Sequence, residues 1–258
     1  MIATLRLFAD YHTHTRYSHG KGTIADNVAF ARQRGLSEVA ITDHGPASLL
    51  MSNLIRRTDW VQIRREIEVQ NGIYRDIRIL FGVEANIVSL DGDLDVPREV
   101  LSQMDIVLAG LHLFVVPASL RAGVSLIINN AWLSRLSRNL GRRARRDNTR
   151  AVIRAVRKNR IDIITHPGLQ LSIDTRELAR VCADHGTALE INTSHREVTT
   201  DFIQCAAEEG VRFAIGSDAH DPWRVGDLGQ GLALAQAAGL RPDQVINAVK
   251  PGQAPRFQ

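Results

Sequence analysis

The chain has 258 residues, of which 44% are hydrophobic and 23% charged, a composition typical of a globular protein that buries a full core. No apolar run is long enough to cross a bilayer, and no collagen-like or disordered bias is present, which argues against membrane-spanning, fibrous and disordered classes. Cleavage of a signal peptide would remove the first predicted strand, so we expect a cytoplasmic protein. The oligomeric state leaves no signal in the sequence.

The positive charge is concentrated in one stretch of the chain. The net charge is +4, but residues 121–160 contain twelve Lys or Arg and one acid, Asp147. This segment carries +11 and the rest of the chain carries −7. The basicity is therefore local.

Seven short β-prone runs alternate with helix-like stretches. The runs are 5–9, 38–42, 78–83, 105–111, 161–165, 188–192 and 211–215, and the helix-like stretches are 24–34, 60–71, 98–104, 125–140, 149–159, 175–185, 200–209, 229–238 and 242–249. This alternation predicts an α/β fold with a parallel sheet, and the absence of a Ser/Gly/Pro linker favours a single domain over residues 1–258. Seven repeats favour an irregular barrel, with an open doubly wound sheet as the alternative.

A His-x-His pair, His12 and His14, follows the first predicted strand, and His19 comes soon after. Alternate residues of an extended strand face the same side and lie about 6 to 7 Å apart, a spacing that suits metal ligands. A single pair of this kind is more often packed or exposed than functional. Its meaning depends on partners elsewhere in the chain.

Six of the seven predicted strands end in His, Asp or Glu, and carboxyl ends of parallel strands meet at one face of a barrel. Nine ligand-type side chains result, including seven of the chain's nine histidines: His12, His14, His19, His44, Glu84, His112, His166, Asp218 and His220. A catalytic zinc ion takes three protein ligands and a water, so this set predicts two or three ions. Imidazole and carboxylate ligands without thiolate favour Zn, Mn or Fe.

A cluster of metal ions suits hydrolysis at phosphorus. Ions about 3.5 to 4 Å apart lower the pKa of a bridging water and neutralise charge on the attacked and leaving oxygens. Glu84, on a central strand, is a candidate to bridge two ions. Binuclear amidohydrolases use similar groups but usually need a bridging lysine, and none of the three lysines of the chain follows a strand. Phosphate ester hydrolysis is therefore favoured over amide or ring hydrolysis.

The motifs at the strand ends together resemble the PHP (polymerase and histidinol phosphatase) domain family, in the form of its small stand-alone phosphoesterases. They are His12-Thr13-His14-Thr15 with His19, Ile41-Thr42-Asp43-His44-Gly45-Pro46, Gly82-Val83-Glu84-Ala85-Asn86-Ile87, Ala109-Gly110-Leu111-His112, Thr165-His166-Pro167-Gly168 and Gly216-Ser217-Asp218-Ala219-His220. They run in the family's order from residue 10 to residue 220.

The resemblance implies a distorted (β/α)7 barrel that hydrolyses a phosphomonoester with a metal-activated hydroxide at a trinuclear site. By this resemblance one ion would be held by His12, His14, Glu84 and Asp218, a second by Glu84, His112 and His166, and a third by His19, His44 and His220. Asp10 and Asp43 also match family positions, and we expect each to orient a histidine.

The chain departs from the compact members of the family between His112 and His166, where 54 positions include a basic helical insertion at about 118–160. Six arginines are expected to overhang the site: Arg135, Arg138, Arg142, Arg143, Arg145 and Arg146. They would clamp a phosphorylated substrate, or the Arg135–Arg160 segment would hold a nucleic-acid backbone. A solvated helix face or an oligomer contact is the alternative.

Three functions remain open on the sequence. The first is a metal-dependent phosphatase with a small phosphorylated substrate, for which histidinol phosphate is one candidate by family analogy alone. The second is a nuclease or nucleotide phosphoesterase that uses the Arg-rich insertion, and the third is a nucleic-acid-binding or assembly module with structural metals. His195 and Arg196, just beyond the sixth strand, are candidates to bind the phosphate or recognise the leaving group, with an exposed loop as the alternative.

Overall fold

Seven parallel strands form one sheet whose order follows the chain in the computed structural model, which describes residues 5–49, 59–124, 130, 137–195 and 198–249. The strands are β1 (Ala9–Asp10), β2 (Glu38–Ile41), β3 (Arg78–Asn86), β4 (Ile106–Gly110), β5 (Ile163–Ile164), β6 (Ala188–Asn192) and β7 (Phe213–Gly216). Each neighbouring pair is parallel, so every connection crosses from one end of the sheet to the other.

Helices fill most of these connections. They are α1 (Ile24–Gln33), α2 (Trp60–Ile73), α3 (Arg98–Leu101), α4 (Leu120–Ala122), α5 (Arg138–Lys158), α6 (Thr175–His185), α7 (Thr200–Ala207) and α8 (Gly229–Ala237), with 3-10 turns at Pro222–Arg224 and Pro242–Gln244. Polar side chains such as Thr23, Asp59 and Asp174 cap helix starts by accepting from a backbone N–H of the first turn. Of the described helices, none combines the length and apolar character that a bilayer crossing requires.

The sheet closes almost completely between β1 and β7. Near the carboxyl ends of the strands, Thr13 and Ala219 form a parallel bridge. Further down, the Asn247 side chain fills the seam, since its amide nitrogen donates to Ala9 O and Ile215 O, both at 2.8 Å. The predicted distorted seven-stranded barrel is confirmed, and the open sheet is excluded.

Side chains that point into the barrel change from apolar to polar along the strands. Leu80, Leu108 and Ile163 belong to the apolar cluster inside the barrel. Glu84 and Glu190 follow on the same inward-facing positions, nearer the carboxyl ends, and both are almost completely buried. Two larger apolar clusters lie between the sheet and its helices. The polar end of the barrel is therefore the place where a site can form.

In the described part of the basic segment, one long helix, α5, runs through the predicted break between residues 140 and 149. Asn148 and Thr149, next to the predicted break, lie inside α5 and are buried. The Asn148 amide donates to Ser172 O at 3.0 Å, and the Thr149 hydroxyl accepts from Asp174 N at 2.8 Å. Tertiary contacts therefore satisfy polar residues that would otherwise favour a helix end. Most of the predicted helix over 125–140 lies outside the described residues.

The predicted helix over 242–249 is wrong. Only the three-residue turn Pro242–Gln244 is helical, and the chain then extends along β7, where Ile246 N donates to Phe213 O at 2.8 Å. The pattern of apolar residues here reflects packing in the barrel seam.

Candidate metal centre

All nine side chains of the predicted ligand set meet at the carboxyl end of the barrel. Every strand except β6 is followed by, or carries, at least one of them. His12, His14 and Glu84 are almost completely buried, with exposed fractions of 1%, 1% and 0%. The cluster therefore lies inside the mouth of the barrel and not on its rim.

Glu84 lies at the centre of this cluster. Its Oε1 is 3.2 Å from His112 Nε2 and 2.9 Å from His166 Nε2. Its Oε2 is 2.9 Å from His44 Nδ1 and 3.3 Å from His12 Nε2. The two oxygens thus face two different groups of histidines.

Asp218 closes the cluster on the β7 side. Its Oδ1 is 3.3 Å from His14 Nε2 and 3.5 Å from both His12 Nε2 and His220 Nδ1. His19 joins this side through its ring, whose centroid is 4.2 Å from that of His220.

Four buried polar atoms of the cluster have no hydrogen-bond partner among the described residues: His14 Nδ1, His19 Nδ1, His44 Nδ1 and Glu84 Oε2. The last two are 2.9 Å apart, but they are not aligned for a hydrogen bond. Buried polar groups are normally hydrogen-bonded, so four such atoms in one cluster without a hydrogen bond indicate another kind of partner. Imidazole nitrogens and carboxylate oxygens at this density fit transition-metal ions.

Three sets of side chains bring their ligand atoms within 4.8 Å of one another: His14, His44 and His220; His12, His14 and Glu84; and His44, Glu84 and His112. The second set is part of the first ion's ligand set implied by the resemblance. The other two sets group the ligands differently, because His14 also lies beside His44 and His220, and His44 also lies beside Glu84 and His112. The assignment of each ligand to one ion stays a prediction.

Both cluster carboxylates are ionised at neutral pH. Burial by itself raises the pKa of Glu84, but the nearby His44 and His12 outweigh burial and hold the pKa well below its usual range. Burial acts on Asp218 in the same way, and His12 and His14 likewise hold its pKa well below the usual range.

Most of the cluster imidazoles are neutral and keep a lone pair. Burial lowers the pKa of His14 well below its usual value and lowers that of His19 to about 4. His12 and His166 are exceptions. Burial lowers the pKa of both, but the carboxylates of Glu190 and Asp218 outweigh burial at His12 and raise its pKa well above the usual value, and the Glu84 carboxylate outweighs burial at His166 and raises its pKa. Ionised carboxylates beside neutral imidazoles are the protonation states in which these groups bind metal ions.

Two residues that the sequence analysis did not select hold the histidine rings in place. Glu190 Oε1 accepts from His12 Nδ1 at 2.7 Å, and Asn86 Oδ1 accepts from His112 Nδ1 at 2.8 Å. Such contacts fix the ring orientation and tautomer of a metal-binding histidine. The available signal was a carboxylate within an otherwise apolar strand, and an amide two residues after Glu84 on the same face.

Asp10 and Asp43 contact the backbone that carries the histidines and, among the described residues, no imidazole ring. Asp10 accepts from the backbone N–H groups of Ser217 and Gly226, at 3.1 and 2.8 Å. Asp43 accepts from the backbone N–H of Thr15 at 2.7 Å and also from its hydroxyl. They therefore position the β1 and β7 ends through the main chain.

His195 lies at the edge of the cluster, where its Nε2 is 3.1 Å from Asp218 Oδ2. Its side chain is 36% exposed, far more than that of Asp218. Arg196, the other residue selected beyond β6, lies outside the described residues.

The arginines predicted to overhang the site belong to α5, except Arg135, which lies outside the described residues. Among the described residues, no arginine forms an ion pair with the cluster carboxylates. Arg145 instead pairs with Asp174 at 2.8 Å, and Arg154 pairs with Asp91 at 2.7 Å. Part of the basic charge is therefore compensated locally.

Comparisons with known proteins agree with this architecture. Residues 10–217 match the PHP domain family. A probable phosphatase of Shewanella sp. strain ANA-3 is 34% identical over 248 residues, covering 92% of this chain and 86% of the relative. A probable phosphatase of Shewanella sp. strain W3-18-1 is 36% identical with the same coverage.

Solved structures show the same fold. Histidinol phosphate phosphatase from Lactococcus lactis subsp. lactis Il1403, complexed with zinc, L-histidinol and phosphate, has a TM-score of 0.65 at 19% identity, covering 90% of this chain and 94% of that chain. A histidinol phosphatase described as putative, from Listeria monocytogenes, has a TM-score of 0.61 at 18% identity, with coverages of 87% and 98%. The match over residues 10–217, together with the Shewanella relatives at 34% and 36% identity, identifies the chain as a member of the PHP domain family.

Proposed function

We propose that this protein is a metal-dependent phosphatase that hydrolyses a small phosphomonoester, and that its cluster holds two or three transition-metal ions. The observation that carries the proposal is the group of buried nitrogen and oxygen atoms around Glu84 that find no hydrogen-bond partner in the described part of the chain. The naming of the Shewanella relatives as probable phosphatases supports the reaction class.

The position of Glu84 supports a shared ligand. Its Oε1 faces His112 and His166, and its Oε2 faces His44 and His12, so one carboxylate reaches both halves of the cluster. Zn, Mn and Fe all suit this set of imidazoles and carboxylates. When bound, such ions would lower the pKa of a water molecule and neutralise charge on the phosphate oxygens.

The protein's own groups prepare the site for an anionic substrate. Glu190 and Asn86 fix the rings of His12 and His112, so these ligands do not need to reorient when an ion binds. We infer that His195 contacts a phosphate oxygen as the substrate enters, and its partial exposure beside Asp218 supports this role. Arg196, its neighbour in sequence, stays a predicted phosphate contact.

Substitution of a cluster residue tests the proposal. His14→Ala and Asp218→Asn each remove a ligand from the buried cluster and should lower kcat/KM on p-nitrophenyl phosphate by about a thousandfold or more, because metal ions supply several kcal/mol of charge stabilisation. Elemental analysis should find less metal per chain in both variants, and circular dichroism should find the fold retained.

His185→Ala is the matched control, because this histidine lies on the exposed end of α6, away from the cluster. It should leave both metal content and activity unchanged. Undiminished turnover in His14→Ala and Asp218→Asn would contradict the proposal.

Assays of the unsubstituted protein on a panel of sugar phosphates, histidinol phosphate, nucleotides and DNA would identify the preferred substrate class.

The nuclease alternative stays a prediction. The described arginines of α5 form no ion pair with the cluster, and two of them, Arg145 and Arg154, pair with acids of neighbouring segments. Replacing Arg142, Arg143, Arg145 and Arg146 by Gln separates the two functions: a nuclease would lose activity on DNA, whereas a phosphatase would keep its activity on p-nitrophenyl phosphate.

A further inference from the structure

A cavity of about 700 Å³ lies outside the barrel, between α5 and the segments 89–91 and 119–124. None of the nine cluster residues lines it. Cavities of roughly 300 to 1,000 Å³ are the usual size of small-molecule sites. The protein therefore has space for a ligand that is separate from its metal cluster.

Four arginines of α5 face this cavity as one stripe: Arg143, Arg146, Arg150 and Arg154. Their spacings of three and four residues place neighbours about 5 to 6 Å apart on one side of the helix. Within the described part of the chain, Arg146 and Arg150 have no carboxylate within ion-pair distance. The middle of the stripe therefore presents an excess of positive charge to the cavity, where Asp147 is the acid nearest in sequence.

The wall opposite this stripe is fixed to α5. Arg154 donates to Leu90 O at 2.9 Å and pairs with Asp91 at 2.7 Å. Asn159 donates to Gly92 O at 3.1 Å. One end of the arginine stripe thus holds the wall in place. Because the wall is already ordered, ligand binding costs less conformational entropy.

The lining also contains the carboxylates of Asp91 and Asp147, which pair with Arg154 and Arg143, and an apolar part. Leu90, Leu120 and Val124 line the cavity, and the side chains of Leu120 and Val124 are 92% and 50% exposed. A ligand that bridges these surfaces needs anionic groups at one end and an apolar part at the other. Arginine forks fit phosphate oxygens with two parallel hydrogen bonds.

We propose that this cavity binds a phosphorylated small molecule with at least two phosphate groups and an apolar or aromatic part, as in a nucleoside diphosphate. Arg146 and Arg150 would contact the phosphates, and the Leu120 and Val124 side would cover the apolar part. The cavity lies between α5 and two short segments, 89–91 and 119–124, an arrangement that suits a compact ligand better than a nucleic-acid duplex. This proposal is independent of the phosphatase reaction.

Calorimetric titration with α,β-methylene ADP, which a phosphatase cannot cleave between its phosphates, tests the proposal. The double variant R146Q/R150Q should weaken binding about tenfold or more, because two charge-assisted contacts are lost. Gln keeps a high helix propensity, so α5 should stay intact. KM for p-nitrophenyl phosphate should change less than about twofold, because neither arginine touches the cluster.

R142Q/R157Q is the matched control, since both arginines are exposed on α5 and neither lines the cavity. It should bind the ADP analogue within about twofold of the unsubstituted protein. Equal binding by R146Q/R150Q, or no saturable binding by the unsubstituted protein, would overturn the proposal. So would a rise in KM that matches the loss of binding, or tight binding of a single-stranded oligonucleotide without binding of the analogue.

Discussion

Two residues of the cluster are held in a backbone conformation that non-glycine residues rarely adopt. The φ angles of His166 and Asp218 are 28° and 51°. Such conformations cost on the order of 1 to 3 kcal/mol and persist only where the surroundings enforce them. Here β6 supplies the enforcement: Glu190 accepts from His166 N at 2.7 Å, and Asn192 donates to Asp218 Oδ2 at 3.2 Å. The strand that provides no predicted ligand therefore positions ligands from its neighbours on both sides.

Glu190→Gln tests this positioning role. The carboxylate accepts from the His12 ring and the His166 backbone at once, and a side-chain amide has only one acceptor oxygen for the two donors. We expect metal affinity and kcat/KM to fall about tenfold to a hundredfold, as for other groups that orient metal ligands. Titration of metal into protein that a chelator has stripped of metal measures the affinity. Steady-state kinetics measure kcat/KM.

Glu177→Gln is the control for this substitution, because Glu177 lies in the exposed first turn of α6. It should leave metal affinity and turnover unchanged. If Glu190→Gln bound metal as tightly as the unsubstituted protein, the carboxylate would serve the fold and not the cluster.

At the scale of elements, the contact between segment 89–93 and α5 shapes the outside of the barrel. Gly92 has a φ of +78°, and a Cβ there would lie 2.2 Å from Ala155 N and 2.4 Å from Arg154 C. These are backbone atoms of a helix, which cannot move without disturbing several hydrogen bonds. The segment can lie this close to α5 only because position 92 has no side chain.

Gly92→Ala should therefore lower the free energy of unfolding by about 2 to 4 kcal/mol, the sum of overpacking and left-handed strain. Gly186→Ala separates left-handed strain from overpacking. Gly186 has a φ of +72°, but a Cβ there would have nothing within 4 Å, so only the strain applies. It should cost only about 1 to 2 kcal/mol. Urea midpoints at an unchanged m-value measure both. Equal midpoints in the two variants would show that the contact with α5 adds nothing.

The sequence predicts elements well where one signal dominates. Alternation of short apolar runs with amphipathic stretches predicts the parallel barrel, and the ligand-type residue that ends a run predicts where the nine side chains meet. The role of Glu190 is not predicted, because this residue lies within a strand and not at its end. Its partners, His12 and His166, come from distant segments of the chain. Asn148 and Thr149 suggest a helix end locally, but their buried contacts with Ser172 and Asp174 let α5 continue. Long-range partners decide such cases, and local patterns do not contain them.

At the scale of the whole molecule, closure of the barrel depends on the seam between β1 and β7, where regular strand pairing is interrupted. The regular ladder runs from β1 to β7 but does not join the two edges. Asn247 fills this seam: its amide nitrogen donates to Ala9 O and Ile215 O, and its oxygen accepts from Ile215 N at 3.0 Å. One fully buried side chain thus pairs backbone groups that an edge strand would leave exposed.

Asn247→Ala should destabilise the whole barrel, because it leaves three buried backbone groups without partners and each costs about 1 to 3 kcal/mol. We expect a loss of about 3 kcal/mol or more in a urea titration, against almost none for Asn139→Ala on the exposed first turn of α5. The seam joins the strands that carry His12 and Asp218, so added Zn²⁺ or Mn²⁺ should recover part of the loss by binding only the closed barrel. Unchanged stability would mean that water or the neighbouring backbone closes the seam without this side chain.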